Sequence, residues 1–269
     1  VVGGGDQFKV IKKSAGRSRY ALLAEMTVLS MVSAIWRKKL QFLGIGIGNI
    51  STPLAQGLSK FCLSLADTVT LRDRGSFEKA VELTGRTDIL LAADLTFLDV
   101  TGARAPLPNR QATLGIAPAF EVEHPELYAH FTEELGKAAQ KILEDNPSTH
   151  IQFLPFQPAF HEHTDIRASH EILQYIRDAE KCSVDAKFSK DTIAEMYRHM
   201  DALWGIRLHS LIFACIHSVP FIALVYDEKV RRFLREIECE QWGIELDGSF
   251  SAEKLLALHS KLIEETPSV

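Results

Sequence analysis

The sequence predicts an α/β protein of two domains, each a parallel sheet covered by helices on both faces. Three observations carry that prediction. Short β-rich apolar runs alternate with longer segments of helical periodicity along the whole chain, an order that calls for parallel strands joined by crossover helices. Val100 to Gln111, with Gly102, Pro106, Pro108 and several short polar residues, interrupts the alternation, and the pattern then restarts. The 269 residues, 46% hydrophobic and 24% charged, are long for one compact domain and sufficient for two cores. The expected organisation is a first domain at 1–103, a linker at 104–111 and a second domain at 112–269.

In the first domain Val1-Val2 ends a strand, and Gly3-Gly4-Gly5-Asp6 forms a turn in which glycine permits positive φ or close backbone approach. A helix spans Arg19 to Lys38. Its apolar stretch, Ala21 to Trp36, is interrupted by Glu25, Thr27, Ser30 and Ser33 and is shorter than the ~20 residues of a membrane span, so a buried core helix is expected. Gln41 to Ile47 reads as a buried strand. It runs into Gly44-Ile45-Gly46-Ile47-Gly48-Asn49, whose alternate glycines bare one face to a ligand or a neighbouring backbone. Leu54 to Leu65 is a helix, Thr68 to Leu71 a strand, and Arg72 to Ser76 the loop opening a helix at Phe77. Arg72 and Arg74 thus stand where a strand hands over to a helix, a position that suits an anion. Asp88 to Ala92 is the next strand, closed by Asp94. With only about four strands, this domain is short against an ordinary doubly wound sheet.

After the linker, Ala112 to Ala117 is a strand, Pro125 to Glu144 a helix and His150 to Leu154 a strand. Asp165 caps a helix through Arg177. Cys182 to Asp185 is a short strand and Asp191 to His199 a helix. In Ile206-Arg207-Leu208-His209 apolar and polar residues alternate, which on an extended segment turns Arg207 and His209 to one face. Ser210 to His217 is a short buried helix, Ser218-Val219-Pro220 a breaker and Phe221 to Tyr226 a buried strand. Asp227 caps the helix that carries Lys229, Arg231, Arg232 and Arg235. Trp242 to Leu246 and Ser251 to Ile263 complete the pattern. The unit from Trp204 to Leu234 therefore sets Arg207, His209 and Lys229 at the carboxyl ends of adjacent parallel strands, where helix N-termini favour anions. The opposing reading makes Arg207 and Lys229 solvated surface cations and His209 a core histidine.

A net charge of −5 gives no general attraction to nucleic acid or to an anionic surface, so any anion site depends on local cations. Cys62, Cys182, Cys215 and Cys239 have neither close pairing nor metal spacing, in keeping with reduced thiols in a cytoplasmic protein. No signal peptide is evident at the Val1-Val2-Gly3 start. His161-Glu162-His163-Thr164-Asp165 puts two histidines on one face of an extended segment, but spacing supplies no third ligand, and a surface loop is expected.

Gly205-Ile206-Arg207-Leu208-His209-Ser210-Leu211, followed by Val219-Pro220, Ala223-Leu224, Tyr226-Asp227 and Lys229-Val230-Arg231, resembles the signature of the polysaccharide pyruvyl transferase family. Gly3-Gly4-Gly5 resembles the family's early triple glycine. Gly46-Ile47-Gly48-Asn49 stands where the family usually has Gly-Ile-Gly-Pro, and Leu71-Arg72-Asp73-Arg74-Gly75-Ser76 meets its Val-Arg-Asp-x-x-Ser pattern. The resemblance implies two Rossmann-like domains facing a cleft, the GT-B arrangement, with the first domain truncated at its N-terminus. It also implies transfer of pyruvate from phosphoenolpyruvate to a sugar of a polysaccharide or lipid-linked glycan as a ketal, with phosphate released. Arg207, Lys229 and Arg72 would hold the donor, whose carboxylate and phosphate call for cations. A structural ion pair of Arg72 with Asp73 or Asp94 is the competing reading. His209 would carry a proton. Gly4, Gly5, Gly46, Gly48 and Asn49 would form the acceptor loops.

No cofactor, metal or nucleic acid is implied. The resemblance places the protein in the cytoplasm, with at most peripheral contact with the inner face of the membrane. Two alternatives remain: a nucleotide-sugar glycosyltransferase or epimerase of the same architecture, and a non-catalytic sugar-binding remnant.

Overall fold

A computed structural model describes residues 2–11, 18–98, 111–119, 125–156, 164–185 and 190–266, apart from the side chains of residues 125, 190 and 191. The chain divides into two compact units, Val1–Asp99 and Val100–Val269. The expected linker falls almost entirely outside the described residues. Each unit is an all-parallel sheet with its own apolar core.

Unit 1 begins with two short strands, β1 (Val2–Gly3) and β2 (Asp6–Phe8), separated by Gly4 and Gly5. Both glycines adopt positive φ, +69° and +64°, the conformation that glycine tolerates without a Cβ clash. Helix α1 (Ala21–Ile35) leads to β3 (Gln41–Ile47), followed by α2 (Pro53–Leu65), β4 (Thr68–Leu71), α3 (Arg74–Thr84) and β5 (Leu90–Leu91). The sheet order is β1-β3-β4-β5, with β2 also paired to β3. Asp6 therefore belongs to a strand, not to the turn expected from its glycine neighbours, and its register partner is Gly46. Thr52 and Asp73 cap α2 and α3 by accepting hydrogen bonds from the N–H groups of Ala55 and Ser76. Because Asp73 is the cap, α3 opens at Arg74, three residues earlier than expected.

Helix α1 differs more from expectation. It buries Leu23 and Ser30, while Val28, Met31, Val32, Ile35 and the following Trp36 are exposed. It is not a core helix. Its inner side packs Leu23 and Met26 into the core and adds two hydroxyls: Thr27 donates to the carbonyl of Leu23, and Ser30 to that of Met26.

Unit 2 contains β6 (Thr113–Ala117), α4 (Tyr128–Asp145), β7 (His150–Phe153), α5 (Asp165–Leu173), β8 (Cys182–Val184), α6 (Lys190–Arg198), β9 (Ala202–Gly205), α7 (Leu208–Ile216), β10 (Phe221–Val225), α8 (Glu228–Glu236), β11 (Gly243–Glu245) and α9 (Ala252–Glu265). Its strand order is β11-β10-β9-β6-β7-β8. Near-continuous burial along β6, β9 and β10 is what a sheet covered on both faces requires. Trp204, Ile116, Phe153, Ile222 and Leu224 anchor this core. The strand expected at Ile206–His209 ends instead at Gly205. Ile206 is buried, Arg207 takes the N-cap position of α7, and Leu208 and His209 are its first helical residues. Helix α5 stops at Leu173, and its cap is Thr164, whose hydroxyl accepts from the Arg167 N–H. That frees Asp165, in the first turn, for another partner.

Candidate active site

Unit 2 brings three of the expected residues to one sheet edge. Strands β9 and β10 pair in parallel with Ala223 beside Gly205, and β6 pairs with β9 with Ala117 beside Gly205. Residues just beyond Gly205 and Val225 consequently leave the sheet at the same side. Arg207 lies two residues past the end of β9. Its Nε and one Nη donate to the two oxygens of Asp165 at 3.2 and 2.6 Å. The Asp165 side chain is 0% exposed, so the pair is buried on the carboxylate side, and its two-point geometry fixes the guanidinium plane. Tyr226, immediately after β10, lies beside Arg207 and Asp227. Burial, with the Asp227 charge next, pushes its phenol up to about 12, so it remains protonated at neutral pH.

The turn between β9 and α7 is tightly built. A Cβ on Gly205 would come within 2.6 Å of Ser210 Oγ and 2.7 Å of Leu211 Cδ2, so glycine lets α7 start directly against the strand end. Ser210 Oγ donates to the Arg207 carbonyl at 2.6 Å, and Tyr197 donates to the Ser210 carbonyl at 3.0 Å. The first turn of α7 has no side-chain cap. Its leading N–H groups and the positive end of its dipole form an anion-attracting terminus with Arg207 at its base and the exposed His209 within its first turn.

Lys229 is exposed in the first turn of α8, the helix after the neighbouring strand. That terminus differs. Asp227 Oδ1 accepts from the N–H groups of Lys229 and Val230, so a carboxylate already fills it. Arg231 pairs with Glu245 and Glu228, and Arg232 and Arg235 pair with Glu228, which makes the basic tail a solvated ion-pair face.

Unit 1 holds Arg72 differently from a ready anion site. Its guanidinium donates to Asp94 at 2.7 Å and to Asp6 at 2.6 Å, with Asp73 at 3.9 Å, and the side chain is 8% exposed. The ion-pair reading of Arg72 describes this geometry, with Asp6 added to the expected Asp94. The bared face of Gly46 belongs to the same network, since a Cβ there would meet Asp6 Oδ1 at 2.4 Å and Arg72 Nε at 2.9 Å. At Gly48 the neighbour is Lys9, 2.9 Å away. Protein atoms thus fill the space that these glycines leave. Around Gly4, by contrast, an added Cβ would meet nothing within 4 Å. Asn49 is exposed and closes its own turn by accepting from the Ser51 N–H.

His161, Glu162 and His163 lie outside the described residues. Among the described residues no group of three His, Cys, Asp or Glu side chains could hold a metal ion. All four cysteines are free. Burial pushes the Cys215 thiol up to about 12 and the Cys182 thiol up to about 11, so neither supplies a thiolate nucleophile. Sequence reasoning passed over Asp165 and Tyr226. Asp165 looked like a helix cap, and the Thr164 just before it was the available hint that the cap was already provided.

The model of the polysaccharide pyruvyl transferase family matches residues 1–228, which contain Arg72, Asp165, Arg207, His209 and Tyr226 and stop one residue short of Lys229. The chain belongs to that family. A comparison with curated protein sequences gives no significant match. Among solved structures, a Listeria monocytogenes protein assigned as a UDP-N-acetylglucosamine 2-epimerase aligns over 95% of this chain and 74% of its own, at 10% identity and a TM-score of 0.65. The UDP-GlcNAc 2-epimerase of Methanocaldococcus jannaschii aligns over 96% and 79%, at 11% identity and a TM-score of 0.60. That of Neisseria meningitidis, solved with UDP-GlcNAc, aligns over 94% and 76%, at 8% identity and a TM-score of 0.56. At such identities the likeness is one of fold: two Rossmann-like units of the GT-B type.

Proposed function

We propose that this family member transfers the pyruvyl group of phosphoenolpyruvate to two hydroxyls of a sugar in a polysaccharide or lipid-linked glycan, forming a ketal and releasing phosphate. The observation that carries the reading is the uncapped N-terminus of α7, with the clamped Arg207 guanidinium and His209 beside it. Such a terminus suits the anionic groups of the donor, and Lys229 adds a charge from the adjoining helix. One sugar hydroxyl bonds to C2 as C3 gains a proton and becomes a methyl group. A second hydroxyl then bonds to C2 as the C2–O bond to phosphate breaks. Of the two hydroxyl protons, one balances the methyl group and the other leaves with phosphate. His209 is the group for moving them, because an imidazole can both accept and donate a proton.

Asp165 and Tyr226 act through Arg207. Arg72 enters as the fastener of Asp6 and the Gly46 loop, and not as a donor contact, because it faces three carboxylates. The open Gly4-Gly5 turn and Asn49 remain the acceptor-side candidates. The reading places the reaction in the cytoplasm.

The test is phosphate release from phosphoenolpyruvate with an acceptor glycan, together with detection of the ketal methyl group by NMR. Arg207→Ala should lower kcat/KM by about 100-fold or more, as removal of a fixed electrostatic contact does. His209→Ala should lower kcat by a similar factor. Release of UDP from a nucleotide sugar, with none of phosphate from phosphoenolpyruvate, would replace this reading by the epimerase or glycosyltransferase one. No activity and no thermal shift with phosphoenolpyruvate would leave a sugar-binding protein.

A further inference from the structure

Most of the apolar content of α1 faces away from the core. Val28, Met31, Val32, Ile35 and Trp36 recur at spacings of three and four residues, so they form one stripe, and all are exposed, Ile35 by 72% and Trp36 by 70%. The inner side packs Leu23 and Met26 into the core and also carries Thr27 and Ser30, whose hydroxyls bond back to their own helix. Helix α2, packed beside α1, also exposes Leu54, Phe61 and Leu65. An outward apolar stripe of this kind marks a docking surface.

What surrounds the stripe identifies its occupant. Arg37, Lys38 and Lys39 follow Trp36 directly and are exposed, as is Lys60 on α2. Arg37 ends the helix with φ +51°, a left-handed conformation that costs a non-glycine residue roughly 1–2 kcal/mol. A cation thus stands at a position whose backbone conformation favours glycine. The only acidic residue of α1 is Glu25, about 16 Å along the axis from Trp36 at 1.5 Å per residue. A second copy of the chain laid in parallel would bring another Arg37-Lys38-Lys39 against the same cations, and an antiparallel copy would offer those three cations one carboxylate, Glu25. An anionic bilayer presents the complement: acyl chains for the stripe, a headgroup layer for the indole of Trp36 and phosphates for the basic cluster.

We propose that α1 is a peripheral docking helix that seats unit 1 on an anionic phospholipid surface, with the Val28–Trp36 stripe against the acyl boundary and Arg37, Lys38 and Lys39 on the headgroups. No described helix is long and apolar enough to cross a membrane, so the contact lies in the plane of the surface. The proposal rests on α1 and α2 alone and is independent of the reaction assigned to the family.

Vesicle flotation of the full chain tests it, using phosphatidylcholine vesicles with and without phosphatidylglycerol. The chain should float with the mixed vesicles and not with phosphatidylcholine alone. Its tryptophan emission should shift to the blue on binding, and Trp36→Phe should remove the shift, because Trp204 is already buried and Trp242 is packed against the core of unit 2. Each basic residue near the surface contributes about fivefold to partitioning, so Lys38→Gln with Lys39→Gln should weaken binding about 25-fold. Ile35→Glu should abolish flotation while leaving the far-UV CD spectrum and Tm unchanged, since the side chain is mostly solvated. If that variant lost helix content, Trp36→Ser would serve in its place. Failure of the wild type to float with anionic vesicles overturns the proposal, and so does flotation that survives either stripe variant. A dimer dissolved by Ile35→Glu, with no vesicle binding, assigns the face to a second copy instead.

Discussion

Arg207 is only as well placed as Asp165 makes it, and the strength of that dependence can be measured. The pair is bidentate, Asp165 is fully enclosed, and the two residues are 42 positions apart in the chain. Removing one member of a buried pair leaves a charge without compensation and costs about 3–5 kcal/mol; because Arg207 keeps some solvent access, the lower end applies. Arg207→Ala and Asp165→Ala should each destabilise unit 2 by about 3 kcal/mol. The double variant should cost much less than the sum, with a coupling of about 2 kcal/mol.

Tryptophan emission in urea follows the transition. Trp204 and Trp242 belong to unit 2, so a Trp36→Phe background leaves a signal from that unit alone. With a slope of about 2 kcal/mol/M, each single variant should lower the midpoint by about 1.5 M. Additive single and double effects, with coupling below about 0.5 kcal/mol, would refute the claim that Asp165 holds Arg207.

Gly46→Ala should destabilise unit 1 by more than about 2 kcal/mol, because its methyl group would displace the Asp6 and Arg72 side chains, whereas Gly57→Ala, on α2 with open space around it, should stabilise the unit by up to about 1 kcal/mol. Thermal melts of the two variants decide it. Burial works to raise the Asp94 carboxyl, but the Thr96 N–H and hydroxyl and the Arg72 guanidinium outweigh it and hold that carboxyl below its ordinary range near 4. Its contribution is complete above that range and is lost as pH falls through the lower folded value. Unit 1 in Asp94→Asn should therefore be less stable at neutral pH and lose less on acidification, as read by melts across an acid series. In unit 2, burial lowers His259 to about 4, and its Nδ1 accepts from the Trp204 indole at 3.3 Å. The unfolded chain takes up the proton first, so stability should fall between about pH 6.5 and 4. The loss should amount to about 2 kcal/mol after allowance for the partial exposure of the ring, and His259→Gln should remove it.

Local patterning carried most of the secondary structure. Asp227 at the start of α8 and the breaker before β10 act within a few residues, and both lie where spacing puts them. Errors came where local chemistry admits two outcomes. Ile206 to His209 alternates like a strand, yet Gly205 lets α7 begin at once by giving Ser210 and Leu211 room, and the helix takes those residues. Thr164 and Asp165 can each cap α5. Thr164 does so, because the enclosed Asp165 is bound to Arg207.

By itself the chain's order of residues determined the alternation of strands and helices, the glycine turns and the motif that assigns the family, because each is written in neighbours a few positions apart. Only the tertiary structure decided the rest. It gave Arg72 to Asp6 and Asp94, 66 and 22 positions away, bound Arg207 to Asp165 and turned the apolar stripe of α1 outward. Those outcomes depend on which strands become neighbours and in what register, and periodicity along one segment holds no information about its partner in space.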